Sequence, residues 1–165
     1  MTKAAIATGL VRPCLTFQDR AEEAVEFYVS LFPNSRVVSA VRSESDGPIA
    51  KGKLLNATFE LDGREFTAFD GGPTFTFTEG ISLVATCQTQ DEIDRLWANL
   101  SEGGEPGPCG WLKDRFGVSW QIVPAALGEM MSNPKGGDSA AVMDALLKMG
   151  KLDIATLERA YSGRA

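Results

Sequence analysis

The chain has 165 residues and a net charge of −6, with three cysteines and no histidine. This length is enough for one domain that buries its own core without metals or disulfides. The acidic charge and the lack of a lysine or arginine cluster exclude nucleic acid and anionic membrane surfaces as main partners. We therefore expect a single domain, residues 1–165, with no nucleic-acid and no membrane partner.

The cysteines bear on the compartment. Cys14, Cys87 and Cys109 lie far apart and form no Cys-x-x-Cys pair, a usage typical of a reducing environment. The first nine residues lack the apolar core and the cleavage pattern of a signal peptide. No apolar run approaches the ~20 residues that cross a bilayer. These features predict a cytoplasmic protein.

The first half of the chain predicts one helix among four strands. The predicted elements are a strand at residues 10–17, a helix from Asp19 to Phe32, and strands at 36–41, 54–61 and 64–69. Asp19 and Glu22 have the spacing of a capping box, which would start the helix. Asp62-Gly63 is the strongest two-residue hairpin signal in the chain. The first half therefore has the pattern βαβββ.

The second half repeats this pattern. A strand is predicted at residues 81–87, and Thr89 with Glu92 forms a second capping box before an amphipathic helix. Thr16 and Thr86 lie as far apart in sequence as Asp19 and Thr89, so strand and cap repeat in register. Three short β segments follow the second helix. The chain therefore contains two tandem βαβββ modules, which cannot cover their sheets alone and should share a core and cleft.

The last two β segments form a hairpin within residues 109–124. Strands are predicted at 111–112 and 118–123, with the turn at 114–117. Strand alternation places Val118, Trp120 and Ile122 against the core, and Ser119, Gln121 and Val123 on the opposite face. That second face is small or polar and lines a cavity, unless Gln121 simply points to water.

Three helices are predicted after Pro124. The first spans residues 125–131, Asp138 or Ser139 caps the second, and Asp153 caps the third. We expect this tail to cover a sheet edge or to form a dimer contact.

Several motifs resemble one family. They are Phe27-Tyr28 before residues 31–35, residues 56–63, Gly71-Gly72-Pro73, the hairpin residues 109–114 and 117–121, and residues 148–154 in the tail. Together they resemble the PhnB-like branch of the vicinal-oxygen-chelate superfamily, which includes glyoxalases and bleomycin-resistance proteins. That branch is often labelled a demethylubiquinone 3-methyltransferase domain.

The resemblance implies an α+β fold of two tandem βαβββ modules of the glyoxalase/bleomycin-resistance type with a C-terminal helical tail. Module one would span 1–72, module two 73–124 and the tail 125–165. Each half would contribute a cup-shaped β-sheet cleft, and the chain would assemble as a homodimer.

The superfamily enzymes hold a divalent metal with ligands from the first and last strands of each module. The matching positions here are Arg12, Thr67, Ser82 and Gln121. They supply no imidazole, carboxylate or thiolate, the donors that metal sites need. A divalent ion would also have to lie beside the positive charge of Arg12, and at ~4 Å the two would repel by ~8 kcal/mol at an effective dielectric near 20. We expect no bound metal and no cofactor.

Other chemistries stay open as alternatives. Cys109 beside Lys113 could be a nucleophile, although a lone thiol near a turn is more often packing. Asp70, Glu79 and Asp114 could supply a carboxylate pair for acid–base chemistry. The chain has no Gly-x-Gly-x-x-Gly between a strand and a helix, so the methyltransferase label rests on resemblance alone.

The favoured hypothesis is a protein that binds a small organic molecule in the β-sheet cup without metal. Arg12 would supply charge, Thr67 and Gln121 hydrogen bonds, and Phe69 an apolar wall. The predicted pocket residues are Arg12, Cys14, Thr67, Phe69, Ser82, Ser119 and Gln121. One alternative is an enzyme of this fold with an unknown reaction, such as the methyltransferase of the family label, with unknown catalytic residues. The other is a structural or interaction module whose cup is filled by side chains.

Overall fold

The computed structural model describes residues 11–46, 48–132 and 136–163, so the predicted first strand begins partly outside the described residues. The first unit contains β1 (Cys14–Phe17), α1 (Ala21–Leu31), β2 (Arg36–Arg42), β3 (Leu54–Leu61) and β4 (Arg64–Asp70). The second contains β5 (Leu83–Cys87), α2 (Gln90–Ser101), β6 (Glu105–Pro106), β7 (Trp111–Lys113) and β8 (Ser119–Pro124). The tail contains α3 (Ala126–Ser132), α4 (Ser139–Leu146) and α5 (Ile154–Ser162).

The two units have the same sheet topology. The first sheet has the strand order β1-β4-β3-β2 and the second has β5-β8-β7-β6. In each sheet the first and last strands of the unit pair in parallel, and the other neighbours pair antiparallel. This confirms the predicted βαβββ repeat and the α+β fold. The chain passes from the first compact unit to the second between Thr76 and Phe77.

The hairpin between β3 and β4 follows its turn chemistry. Leu61 pairs with Arg64, so the loop has the two residues Asp62 and Gly63. Their φ angles are +47° and +72°, and positive φ at both central positions is what a type I′ turn requires. The sequence signal for this turn is confirmed.

One predicted helix cap is right and the other is wrong. Thr89 and Glu92 form the capping box of α2, with the Glu92 amide donating to the Thr89 hydroxyl. At α1 the cap position is Arg20, whose side chain makes no cap bond, so the Asp19/Glu22 box does not form. Instead the Ala21 amide donates to Asp70 Oδ1 at 2.7 Å. Asp70 is available because β4 ends beside β1, where Phe17 pairs with it.

Each sheet buries one face beneath its own helix. In the first unit the buried side chains include Phe17, Tyr28, Phe59 and Phe66, and in the second they include Ile93, Leu100, Trp120 and Ile122. Val118, Trp120 and Ile122 are all buried, which confirms the predicted register of β8. Gln121 lies on the opposite face, which we call the open face of the second sheet.

The tail packs within the second unit. Met130, Val142, Leu152 and Leu157 form a buried cluster, against which Val123 of β8 also packs. The amides of Cys109 and Gly110 donate to the carbonyls of Met149 and Gly150 at 2.7 and 2.8 Å. The loop before β7 is therefore held by the turn that follows α4. Among the described residues no helix is long and apolar enough to span a membrane.

Candidate functional site

The open face of the first sheet brings three predicted pocket residues side by side. Cys14 of β1 pairs with Thr67 of β4, and Thr16 pairs with Phe69 in the same parallel register. Leu15, which alternates with Cys14 and Thr16, is buried, so these four side chains share the opposite face. Thr67 and Phe69 are half-buried and Cys14 is exposed. The arrangement offers a hydroxyl and an aromatic edge to a small molecule.

Arg12 does not offer a free charge. Its guanidinium forms an ion pair with the Glu65 carboxylate, and the two side chains are 46% and 42% exposed. A carboxylate at contact distance offsets most of the repulsion that an unpaired guanidinium would exert on a cation. The repulsion expected from the sequence is therefore largely absent, and the case against a metal rests on the donors alone.

The open face of the second sheet brings together Gln121, Ser82 and Ser119. Gln121 Nε2 donates to Ser82 Oγ at 2.8 Å. Ser82 precedes β5, and its neighbour Leu83 pairs with Trp120, so the same register sets Ser82 opposite Ser119. Ser119 is only 3% exposed, and its Oγ makes no hydrogen bond within the part of the chain that the structure describes.

Lys113 is a charged residue next to Ser119 that was not among the predicted pocket residues. It pairs with Ser119 across β7 and β8, and its Nζ lies 2.8 Å from Glu79 and 3.8 Å from Glu105. The hydrogen bond with Glu79 raises the pKa of Lys113 and lowers the pKa of Glu79. Strand alternation could have revealed this position. Lys113 lies two residues after Trp111, so both side chains share one face of β7, and Trp111 pairs with Gln121.

The carboxylates proposed for acid–base chemistry have separate structural partners. Asp114 is buried and accepts hydrogen bonds from the amides of Phe116 and Val118 and from the Trp120 indole. Asp70 caps α1, as described above, and Glu79 pairs with Lys113. A buried carboxylate that already accepts three hydrogen bonds from the protein is poorly placed to accept a proton from a substrate. Asp114 therefore has a structural role: its side chain holds the turn of the hairpin, which we call the clamp of the hairpin.

The thiols differ in environment. Cys87 is buried, and this burial raises its pKa to about 11, which makes the thiolate scarce at neutral pH. Cys109 is half-buried with φ of +57°. Lys113, its proposed activator, is already engaged by Glu79. These contacts give no support to a cysteine nucleophile.

The four superfamily metal positions do not fit a metal ion. Ser82 and Gln121 bond each other, and Arg12 bonds Glu65; Thr67 adds only a hydroxyl. Neutral hydroxyl and amide oxygens are poor ligands for a transition metal. Within residues 11–46, 48–132 and 136–163, no three Cys, Asp or Glu side chains cluster in a way that could hold a metal.

Two comparisons identify relatives. The family model for 3-demethylubiquinone-9 3-methyltransferase matches residues 10–123. A PhnB protein from Bacillus cereus with the same family description is 39% identical over 70% of this chain and 99% of its own, with a TM-score of 0.65. The family model stops before the tail, so the resemblance in residues 148–154 rests on those residues alone. Among curated proteins no match was found.

More distant structures share the fold. A Pseudomonas aeruginosa protein is 23% identical over 69% of this chain and 96% of its own, with a TM-score of 0.58. The fosfomycin resistance protein FosX from Listeria monocytogenes, in complex with Mn(II) and sulfate, is 15% identical over 77% of this chain and 100% of its own, with a TM-score of 0.53. The chain thus belongs to the PhnB-like 3-demethylubiquinone-9 3-methyltransferase family, and it shares its fold with the fosfomycin resistance protein.

Proposed function

We propose that this protein binds a small organic molecule in a β-sheet cup, without metal. The observation that carries the proposal is the donor set at the four superfamily metal positions. These positions hold a paired guanidinium, two hydroxyls and an amide. Such groups recognise polar atoms of an organic molecule and bind transition metals poorly.

The open faces suggest a role for each residue. Thr67 and Gln121 supply hydrogen bonds, and Phe69 supplies an apolar surface beside Thr67 and Cys14. Arg12 would meet the bound molecule as half of an ion pair with Glu65. It would therefore orient a dipole rather than neutralise a full charge.

The family name supports a second candidate, a methyltransferase. The turns between strand and helix argue against a dinucleotide-type cofactor site. Residues 18–20 connect β1 to α1, and residues 88–89 connect β5 to α2, and neither turn contains glycine. Without glycine the backbone cannot approach a cofactor closely at a helix start, as such sites require. We therefore prefer binding to methyl transfer.

Metal addition is expected to leave the stability of the wild-type chain unchanged. We expect no shift in melting temperature with Mn²⁺, Ni²⁺ or Zn²⁺, and no metal by elemental analysis after dialysis. The matched control is the double variant Ser82→His, Gln121→Glu, which puts an imidazole and a carboxylate where two side chains already touch. A metal that binds only the folded variant should raise its melting temperature by a few degrees. Close to one metal per wild-type chain would overturn the proposal.

We also propose a homodimer that uses the β2 edge. All seven residues of β2 are exposed at the end of the strand order, and three of them are valines. The equivalent strand of the second unit, β6, has two residues and includes Pro106. Proline blunts a sheet edge, whereas a long valine-rich edge is open to pairing with another strand.

Sedimentation at micromolar concentration tests this contact. We expect a dimer for the wild type and a monomer for Val38→Lys, because Val38 is exposed on the β2 edge. Val11→Lys is the control, since Val11 is exposed outside β2. A wild-type monomer would contradict the proposal.

The cysteines support a cytoplasmic location. All three are free thiols within the described part of the chain, and two of them, Cys14 and Cys109, are at least partly accessible. Unpaired accessible thiols persist in reducing compartments.

A further inference from the structure

The first unit fills one end of its open face with its own carboxylate. Cys14 and Thr67 are partners in the parallel pairing of β1 and β4. Two residues earlier on each strand, the same register sets Arg12 opposite Glu65. The Glu65 carboxylate occupies this end of the face, where it pairs with Arg12.

The second unit lacks a carboxylate at the equivalent position. Val84 and Gln121 are partners in the parallel pairing of β5 and β8, which is the counterpart of the β1 and β4 pairing. Two residues earlier, Ser82 lies opposite Ser119. Ser119 therefore stands where the first unit has Glu65, and its side chain is too short to replace that carboxylate.

The Ser119 hydroxyl has no partner among the described residues. The residue is only 3% exposed, and nothing in residues 11–46, 48–132 or 136–163 hydrogen-bonds its Oγ. Buried hydroxyls in folded proteins nearly always have a partner, because an unsatisfied one destabilises the fold. An acceptor supplied from outside the chain would satisfy it.

A positive charge lies on the other side of Ser119. Lys113 pairs with Ser119 across the hairpin, and its ammonium already holds a carboxylate, that of Glu79. Glu79 is 67% exposed and lies in the turn formed by residues 78–81. A carboxylate on an exposed turn is held weakly, so an incoming carboxylate can displace it.

We propose that the second unit binds the carboxylate group of a small organic molecule between Lys113 and Ser119, displacing Glu79. Ser82 and Gln121 lie next to this position on the same face and would hydrogen-bond the neighbouring polar atoms. We assign a carboxylate as the ligand group because a carboxylate pairs with the cation in each unit. Glu65 pairs with Arg12 in the first unit, and Glu79 pairs with Lys113 in the second. This inference rests on the proposed function and names the charged group of its ligand.

The test is an NMR titration of the full chain with sodium acetate and with acetamide, a neutral molecule of the same shape. Acetate should shift the amide resonances of Ser119 and Gln121 saturably, and acetamide should not. Glu79→Gln should strengthen acetate binding about threefold by removing the internal competitor. Glu105→Gln is the matched control, because Glu105 lies farther from Lys113 at 3.8 Å, and it should change the affinity less.

Ser119→Ala provides an independent readout. Removing an unpartnered buried hydroxyl should raise the melting temperature without acetate, while acetate binding weakens. A hydroxyl that is merely packed would give no loss of acetate affinity, and that result would overturn the site. Equal responses to acetate and acetamide would also overturn it.

The outcomes separate this inference from the proposed function. Retention of an uncharged organic molecule by the purified chain, with no acetate response, would overturn the carboxylate site and leave the proposed function standing. Close to one metal ion per wild-type chain, together with a saturable acetate response that depends on Glu79 and Ser119, would overturn the metal-free proposed function and leave the carboxylate site standing.

Discussion

Asp114→Ala is expected to lower the free energy of unfolding by about 3–5 kcal/mol, enough to unfold much of a marginally stable domain. The buried carboxylate accepts from the Phe116 amide at 2.9 Å, the Val118 amide at 3.0 Å and Trp120 Nε1 at 2.8 Å. Alanine would remove the acceptor that these three donors share, two of which are buried, and losing a buried hydrogen bond costs about 1–3 kcal/mol. The hairpin that carries Lys113, Ser119 and Gln121 would lose the side-chain hydrogen bonds that hold its turn.

The control is Asp138→Ala, which removes another carboxylate that accepts a backbone hydrogen bond. Asp138 caps α4 by accepting from the Ala141 amide at 2.9 Å, at an exposed position. Loss of such a cap costs about 1 kcal/mol. Urea unfolding of both variants measures the difference. If the two variants lost the same stability, Asp114 would not be the clamp of the hairpin.

Gly110→Ala is the second large effect, with an expected loss of about 3 kcal/mol or more from strain and overpacking together. Gly110 has φ of +82°. A Cβ atom there would lie 2.7 Å from the Ile122 carbonyl oxygen and 3.1 Å from Leu152 Cδ1. The backbone at Ile122 cannot yield, because the Ile122 amide donates to the Gly110 carbonyl at 2.8 Å.

Gly52→Ala separates the strain from the collision. Gly52 has φ of +84°, nearly the same as Gly110, but no atom of the described residues lies within 4 Å of its Cβ position. We expect about 1–2 kcal/mol there, the cost of a left-handed backbone alone. Urea unfolding compares the two variants. Similar losses of unfolding free energy in the two variants would mean that the structure around Gly110, including the contact with Leu152, yields to the added Cβ atom.

The sequence predicted the repeat because its signals are local. Strand alternation, the Asp62-Gly63 turn and the Thr89 capping box all act within a few residues. The α1 cap was missed because its acceptor, Asp70, lies 49 residues from Ala21 and reaches the helix only through the β1 and β4 pairing. A local capping signal cannot reveal a competitor that tertiary structure supplies.

The sequence predicted which residues of the candidate site share a face of a sheet, but it did not predict the partners of their side chains. The family resemblance assigned Ser82 and Gln121 to two of the metal positions, and the structure shows that these two side chains bond each other. Strand register could not give the Arg12–Glu65 or Lys113–Glu79 ion pairs, because long side chains choose partners by their rotamers. The unpartnered hydroxyl of Ser119 was equally hidden, since burial of a small polar residue depends on everything packed around it.

Native mass spectrometry of the purified full chain tests the central claim most directly, because it reports bound metal and bound organic molecules together. We predict a folded species whose mass exceeds that of the chain by one small organic molecule, with no increment for manganese, iron, nickel or zinc. The extra mass should disappear in Phe69→Ala, which removes the apolar surface of the first open face. A spectrum with one metal ion per chain, retained after exchange into volatile buffer, would contradict the account.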